Sequence, residues 1–489
     1  GRQGAAVDAA LSRLSDPLAV SLSQVAHADF ILGVGCDPFQ EAPLLAPVLR
    51  QAVGRGAALW IADPRPVVLP CEFSHLPLSP QQLVPWMDAL DAFLGLSPDA
   101  PGHPPMDGRV GEAASGPGTS PPQIPDTLKR QLEASRRPLV LCGTEIVGSA
   151  IVEKAGDLAT RLRRAGKDAG LCYLLPEANA FGAGLLDQDQ SSFIDLLEKI
   201  EAGQVRALVL SETDPFNLAP RERVRRAFQS LEFLMVLDYL ATPAVDAADM
   251  FIPTQTVFEA GGTFINHEGR AQRLEPALQG GEPLHQTGEG NHPPRRFSTA
   301  IPGGESRAAA SILSELNQRL AELNHRMDSG HPGRRISAAP ATDGPEDLLA
   351  KIRTGARVLD LLPPRGAVRV AAHGVRTPVS EDEFELLRVA RTFGTEPLSS
   401  LTPALRELTP PPRLTLHPRD AADLGLQPGD WVELETEFDP LRVQVELAAG
   451  CARGVLIVPR DERLAWQNLI GENSRILISR IRKVAGGPQ

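Results

Sequence analysis

Apolar residues run in short unbroken blocks along the first half of the chain, and each block stops at glycine, aspartate or proline. Phe30-Ile31-Leu32-Gly33-Val34-Gly35 ends at Cys36-Asp37-Pro38, a helical stretch covers 44–52, and Ala58-Leu59-Trp60-Ile61-Ala62 closes at Asp63. Strand, turn, helix and strand in that order predict a βαβ unit. Unbroken apolar strands further predict a parallel sheet covered on both faces, since alternation appears only where one face is wet. The pattern returns as a strand at 138–143, a helix over 149–164 and a strand at 171–175, then as strands at 207–210 and 233–237 around a helix over 221–230. The fold class is therefore α/β.

Asp37-Pro38-Phe39 followed by Ala42-Pro43 recurs as Asp214-Pro215-Phe216 followed by Ala219-Pro220, each copy directly after an apolar strand. The repeat predicts two Rossmann-like parallel-sheet units, residues 1–96 and 126–278, joined by a Pro/Gly-rich linker or loop at 97–125. A loop-rich helical region is expected over 279–408, with Pro- and Gly-rich stretches at 279–304 and 328–345 around a helix at 306–325. After Pro410-Pro411-Pro412 the period becomes two: short segments at 413–416, 431–436, 442–447 and 454–459 alternate Val, Leu and Trp with Glu and Arg, as half-buried strands do. A small β-barrel over 409–489 follows. Leu426-Gln427-Pro428-Gly429-Asp430 is its tight turn, with Pro setting φ and Gly allowing the reversal.

Composition narrows the chemistry. The 489 residues hold 49 Lys+Arg against 61 Asp+Glu, a net charge of −12, which disfavours a sequence-independent hold on nucleic acid or an anionic membrane. The longest apolar runs, such as 231–237, are too short to span a bilayer. Five cysteines, at 36, 71, 142, 172 and 451, make no CxxC pair and no iron-sulfur ligand run. Neither HExxH, GxSxG nor a P-loop occurs, which argues against zinc hydrolysis and nucleotide hydrolysis.

Two places concentrate candidate residues. Gly33-Val34-Gly35 begins like a dinucleotide fingerprint, but Pro38 stands where its third glycine belongs. Gly35 and Asp37 either touch a nucleotide's phosphate or sugar, or make a tight turn and start a helix. Asp63 either accepts from a ribose or guanine, or caps the next segment. The second place is Glu259-Ala260-Gly261-Gly262-Thr263-Phe264-Ile265-Asn266-His267-Glu268-Gly269-Arg270. Here Asn266, Glu268 and Arg270 offer amide, carboxylate and guanidinium groups, either to a ligand or to a buried polar turn. His267 has the same two readings. Cys71 is expected to be a buried apolar residue, and Cys36 lies outside any ligand motif.

This second stretch, with Ala248-Asp249-Met250-Phe251-Ile252-Pro253 before it, resembles the "ADxxLP … ExxGTFxNxEGRxQ" pattern of the molybdopterin oxidoreductases. His417, Asp420-Ala421, Leu424-Gly425-Leu426, Gly429-Asp430 and Val432 resemble the same family's dinucleotide-binding barrel. Residues 28–52, and Pro459-Arg460 with Leu464-Ala465-Trp466-Gln467, are most similar to the branch of that family serving respiratory NADH-quinone oxidoreductase. The resemblance implies a six-stranded barrel of double-psi type at the C-terminus. It also implies pterin-dinucleotide positions, retained or vestigial, at Gly35, Asp37, Asp63, Asn266, Gly269 and Arg270, with no catalytic residue and no metal ligand. A molybdopterin dinucleotide is the implied cofactor, and iron-sulfur clusters are expected only upstream of Gly1. Implied partners are the other subunits of a peripheral arm on the cytoplasmic side of the inner membrane. The alternative is the catalytic subunit of a molybdenum enzyme, of formate dehydrogenase or nitrate reductase type.

Overall fold

The computed structural model describes residues 2–95, 122–186, 192–278, 306–328, 358–360, 380, 382–470 and 474–486. The expected Pro- and Gly-rich stretches therefore fall largely outside the described residues. The chain forms two compact units: Gly1–Gln190 with Ile265–Arg270 and Arg357–Gln489, and Ser191–Phe264 with Ala271–Ala356.

The first unit is built on a parallel sheet of β1 (Phe30–Val34), β2 (Ala58–Ala62), β3 (Ser74–Leu76), β4 (Pro138–Gly143) and β5 (Gly170–Leu174), in the order β3-β2-β1-β4-β5. The order reverses between β1 and β4, where Leu32 pairs with Val140. All residues of β1, β4 and β5 are buried, as their unbroken apolar runs require. Helices Leu45–Gly54 and Ser149–Arg164 supply Leu49, Val152 and Leu158, all fully buried. Each such side chain contributes about 1.5–3 kcal/mol. Helix Pro80–Phe93 starts on a capping box, Ser79 with Gln82, and has Pro at its first position.

The partition differs from the one the repeat predicts. The strands at 138–143 and 170–174, expected in a second unit, extend the first sheet through β1. An apolar strand carries no local mark of which neighbour it will pair with, so the internal repeat alone misplaced them.

The second unit has a parallel sheet of β6 (Ala207–Ser211), β7 (Phe233–Asp238) and β8 (Met250–Pro253). Leu197, Ile200, Val224 and Phe228 from helices Phe193–Glu201 and Arg221–Gln229 pack with Leu210, Leu234 and Val236 on one face. Helix Ala309–Asp328 matches the expected one. β9 (Gly262–Ile265) and β10 (Ala271–Leu274) form a two-stranded hairpin, whose tip, Ile265–Arg270, is part of the first unit.

The C-terminal part of the first unit is a mixed sheet of seven strands rather than six. Its members are β11 (Glu383–Val389), β12 (Arg413–Leu416), β13 (Trp431–Leu434), β14 (Leu441–Leu447), β15 (Val455–Pro459), β16 (Arg475–Leu477) and β17 (Ile481–Val484). They run in the order β16-β11-β15-β12-β14-β13-β17, with β11 parallel to β15 and β12 parallel to β14. β11 lies in the region expected to be loops and helix. Its run Phe384-Glu385-Leu386-Leu387 is buried throughout and lacks the alternation seen after Pro412. Leu414, Leu416, Val432, Leu434, Val443, Val445 and Leu456 form the core that the sheet curls around.

Candidate functional site

In an open α/β sheet, ligands bind outside the carboxyl ends of the strands, where the strand order reverses. Here that place lies beyond β1, β2 and β4, and it gathers Gly35, Asp37 and Asp63. Gly35 has φ +56° and its N–H donates to the Ala62 carbonyl at 2.8 Å. A Cβ on Gly35 would stand 2.1 Å from Val147 Cγ1, and one on Gly143 would stand 2.0 Å from the Gly35 carbonyl oxygen. The glycines of this crevice therefore let β1 and β4 approach each other.

Asp37 caps helix Pro38–Glu41, its Oδ1 accepting from Phe39 N at 3.1 Å and Gln40 N at 3.2 Å. Burial raises its carboxyl despite nearby Arg65. Asp63 is fully buried, and both its oxygens are taken by Arg65: Oδ1 by the backbone N–H at 2.8 Å and by Nε at 2.9 Å, Oδ2 by Nη2 at 2.8 Å. Arg65 Nη2 also reaches Glu41 Oε1 at 2.5 Å, while Nη1 lies 3.8 Å from Glu145. Glu145 then ties the sheet to the C-terminal strands, accepting from Ala390 N at 3.0 Å and pairing with Arg460 at 3.3 Å. Thr392 reinforces the junction by donating from N to Gln40 Oε1 at 3.0 Å.

Glu41, Arg65 and Glu145, which hold this arrangement together, did not stand out in the sequence. A local signal existed in Asp63-Pro64-Arg65. The same Asp-x-Arg clamp recurs at Asp461 and Arg463, where Oδ1 accepts from N at 3.0 Å and Nε at 2.8 Å and Oδ2 accepts from Nη2 at 2.6 Å.

The other candidates meet at the hairpin tip. Asn266 Oδ1 accepts from the N–H groups of Glu268 at 3.2 Å and Arg270 at 2.9 Å, and Asn266 Nδ2 donates to Glu268 Oε1 at 3.1 Å. Arg270 Nε donates to the same oxygen at 3.3 Å. Gly269 has φ +75°, where a Cβ would meet Leu359 Cγ at 2.8 Å, so this turn needs glycine for conformation and for space. Its carbonyl accepts from Val358 N at 2.7 Å. His267 Nε2 lies 3.2 Å from the Val20 carbonyl, and burial lowers its pKa. Burial, with Glu268 as the smaller cause, pushes the Cys172 thiol on β5 up to about 12. The tip therefore lies on the β5 side of the sheet, whereas Gly35, Asp37 and Asp63 follow the carboxyl ends of β1 and β2. The two groups of candidates are separate.

Four cysteines are buried; Cys71, expected to be buried, is half-buried and packs against the first unit's core. Among the described residues, no group of three or more His, Cys, Asp or Glu side chains is placed to hold a metal ion. No described helix is long and apolar enough to cross a membrane.

This chain belongs to the molybdopterin oxidoreductase family: residues 6–281 match the family model of that description, and residues 388–488 match the one described as "Molydopterin dinucleotide binding domain". Within the family it is similar to the G subunit of NADH-quinone oxidoreductase. Identity is 26% over 396 residues with the Shewanella oneidensis protein, covering 66% of this chain and 43% of that one. With the Salmonella typhimurium protein it is 23% over 405 residues, covering 68% and 44%. The chain thus spans less than half the length of these relatives. Among solved structures, acetylene hydratase from Pelobacter acetylenicus shares the fold at a TM-score of 0.50 and 14% identity, over 94% of this chain and 73% of that one.

The family implies a pterin dinucleotide, and the residues beyond β1, β2 and β4 do not fit one. The backbone N–H groups of residues 39 and 40, which would greet a phosphate, are occupied by Asp37, and the oxygens of Asp63 that a guanine or ribose would need are occupied by Arg65. Asp37, Asp63 and Glu145 would also repel a pyrophosphate at close range.

Proposed function

We propose that this chain is the molybdopterin-oxidoreductase-like body of a subunit of an NADH-quinone oxidoreductase, and that it serves as scaffold. Electrons would pass from NADH to quinone through iron-sulfur clusters carried outside these residues, and the body itself would perform no chemistry. The observation that carries this reading is the Asp63–Arg65–Glu41–Glu145 network. It places the chain's own side chains where an open α/β sheet ordinarily receives its ligand.

In this reading the sheet of the first unit and that of the second are the counterparts of Rossmann-like units. The C-terminal sheet is the counterpart of the family's double-psi type barrel. Gly35, Asp37, Asp63, Asn266, Gly269 and Arg270 are former pterin-dinucleotide positions now used for internal bonding. Partner subunits would form a peripheral arm on the cytoplasmic side of the inner membrane. The match to a dinucleotide-binding domain favours the alternative, a molybdenum-enzyme catalytic subunit of formate dehydrogenase or nitrate reductase type.

Affinity purification of the tagged protein from its own cells tests the assignment. Recovery with subunits that together oxidise NADH with a quinone is expected. Recovery as a molybdenum-dependent oxidase of formate, or reductase of nitrate, would overturn it.

A further inference from the structure

The junction between the carboxyl ends of β1, β2 and β4 and the C-terminal sheet contains an unbalanced set of charges. The side chains of Glu41, Arg65 and Glu145 are 8%, 6% and 7% exposed, and that of Asp63 is 0% exposed. The carboxylates of Asp63 and Glu145 face Glu41 together with Arg65, Asp37 reaches it through its backbone N–H, and the Cys36 and Cys142 thiols lie beside it. From the C-terminal strands come Arg460, paired with Glu145, and Arg388 behind it, which donates to the Leu469 carbonyl at 3.0 Å. Burial, with Arg460 beside it, brings the Arg388 guanidinium down to about 10.

Glu41 is the irregular member. Its Oε1 accepts twice, from Arg65 Nη2 at 2.5 Å and from Asp37 N at 3.1 Å, while its Oε2 is buried with no hydrogen-bond partner. Arg65 is already committed to both oxygens of Asp63. A buried carboxylate with one bare oxygen, set beside the carboxylates of Asp63 and Glu145, is costly; a carboxylic acid with its proton on Oε2 removes that charge.

We propose that Glu41 is held as a neutral acid near neutral pH and acts as a proton-operated latch on this junction. Loss of the proton adds a third negative charge, beside those of Asp63 and Glu145, around Arg65. That charge is relieved by admitting water along the Glu145–Ala390 and Glu145–Arg460 contacts, which hold the C-terminal sheet. Burial is the main cause holding the Glu41 carboxyl up at about 8; Arg65 opposes it and Glu145 adds to it. The native value lies above the unfolded one, so the stabilisation is fully present below the unfolded carboxylate range and is lost as pH rises through about 8. The latch holds whichever function the chain serves.

Hydrogen exchange of the amide of Ala390, corrected for its intrinsic pH dependence, tests the proposal on the full chain. Wild type should exchange slowly at about pH 6.5 and about tenfold faster at about pH 9, whereas Glu41→Gln should show no such rise. A wild-type rate flat across that range, or a Glu41→Gln rate rising equally, would overturn the latch. Should Glu41→Gln not fold, an infrared titration of wild type decides. The carbonyl band of a protonated carboxylic acid should persist to neutral pH and disappear with a midpoint near 8. Asp91, whose carboxyl is raised to about 6, should have ionised before then. Absence of a band at neutral pH would equally overturn the proposal.

Discussion

Arg65 grips Asp63 from two residues away, using its backbone N–H at 2.8 Å, Nε at 2.9 Å and Nη2 at 2.8 Å. Neither residue has an oxygen or guanidinium face turned to solvent, because their side chains are 0% and 6% exposed. This pair occupies the carboxyl end of β2 and makes the crevice beside β1 a structural junction.

Replacing Arg65 by Met should leave Asp63, Glu41 and Glu145 buried without their shared cation. Breaking a buried ion pair by removing one partner costs about 3–5 kcal/mol. Urea unfolding should show a loss of that order, larger than for Arg206→Met, whose pair with Glu232 is 60% exposed on both sides. Equal, small losses would show that the network contributes no more than a surface pair.

Gly143→Ala should be more damaging than Gly35→Ala combined with Val147→Ala. The first sets a methyl against the backbone carbonyl of Gly35, which cannot rotate away, whereas the second removes the Val147 side chain that a methyl on Gly35 would meet. What remains at Gly35 is the left-handed conformation, about 1–2 kcal/mol for a residue with a Cβ. Thermal unfolding of the two variants gives the ordering directly.

The first sheet was partly legible from local pattern. β1, β2, β4 and β5 sit within a residue or so of the predicted strands, since unbroken apolar runs closed by Gly or Asp leave little choice of element. Sheet membership was not legible, because the pairing of Leu32 with Val140 depends on residues more than a hundred positions apart. β11 was missed because its run Phe384-Glu385-Leu386-Leu387 is buried throughout and so lacks the two-residue alternation seen in β12, β13 and β14. Asp37 and Asp63 were singled out, but their partners Glu41, Arg65 and Glu145 were not. A charged residue looks solvated until the fold shows what it is buried against.

His267 should make the protein acid-sensitive. Burial, partly offset by Glu268, lowers its pKa, so the unfolded chain binds the proton more readily than the native one. Stability then falls as pH drops from the ordinary histidine range through the lowered native value. His267→Gln should lose less stability over that interval than wild type; an unchanged slope would show that His267 makes no such contribution.

Thiol reactivity should separate the cysteines. Burial raises the thiols of Cys36, Cys142, Cys172 and Cys451, and Cys71 alone among the five is half-buried, so a thiol reagent should label no more than Cys71 in the native protein. All five should react after denaturation. Rapid native labelling of a second cysteine would contradict the burial assigned to Cys36, Cys142, Cys172 and Cys451.

If the chain's own charges have taken over the place of a pterin dinucleotide, the assembled complex should carry none at this subunit. Molybdenum and extractable pterin, measured in the complex purified with this subunit, decide the matter. Neither should be present in stoichiometric amount. One equivalent of pterin dinucleotide per subunit, with or without molybdenum, would show that the crevice still holds its ligand.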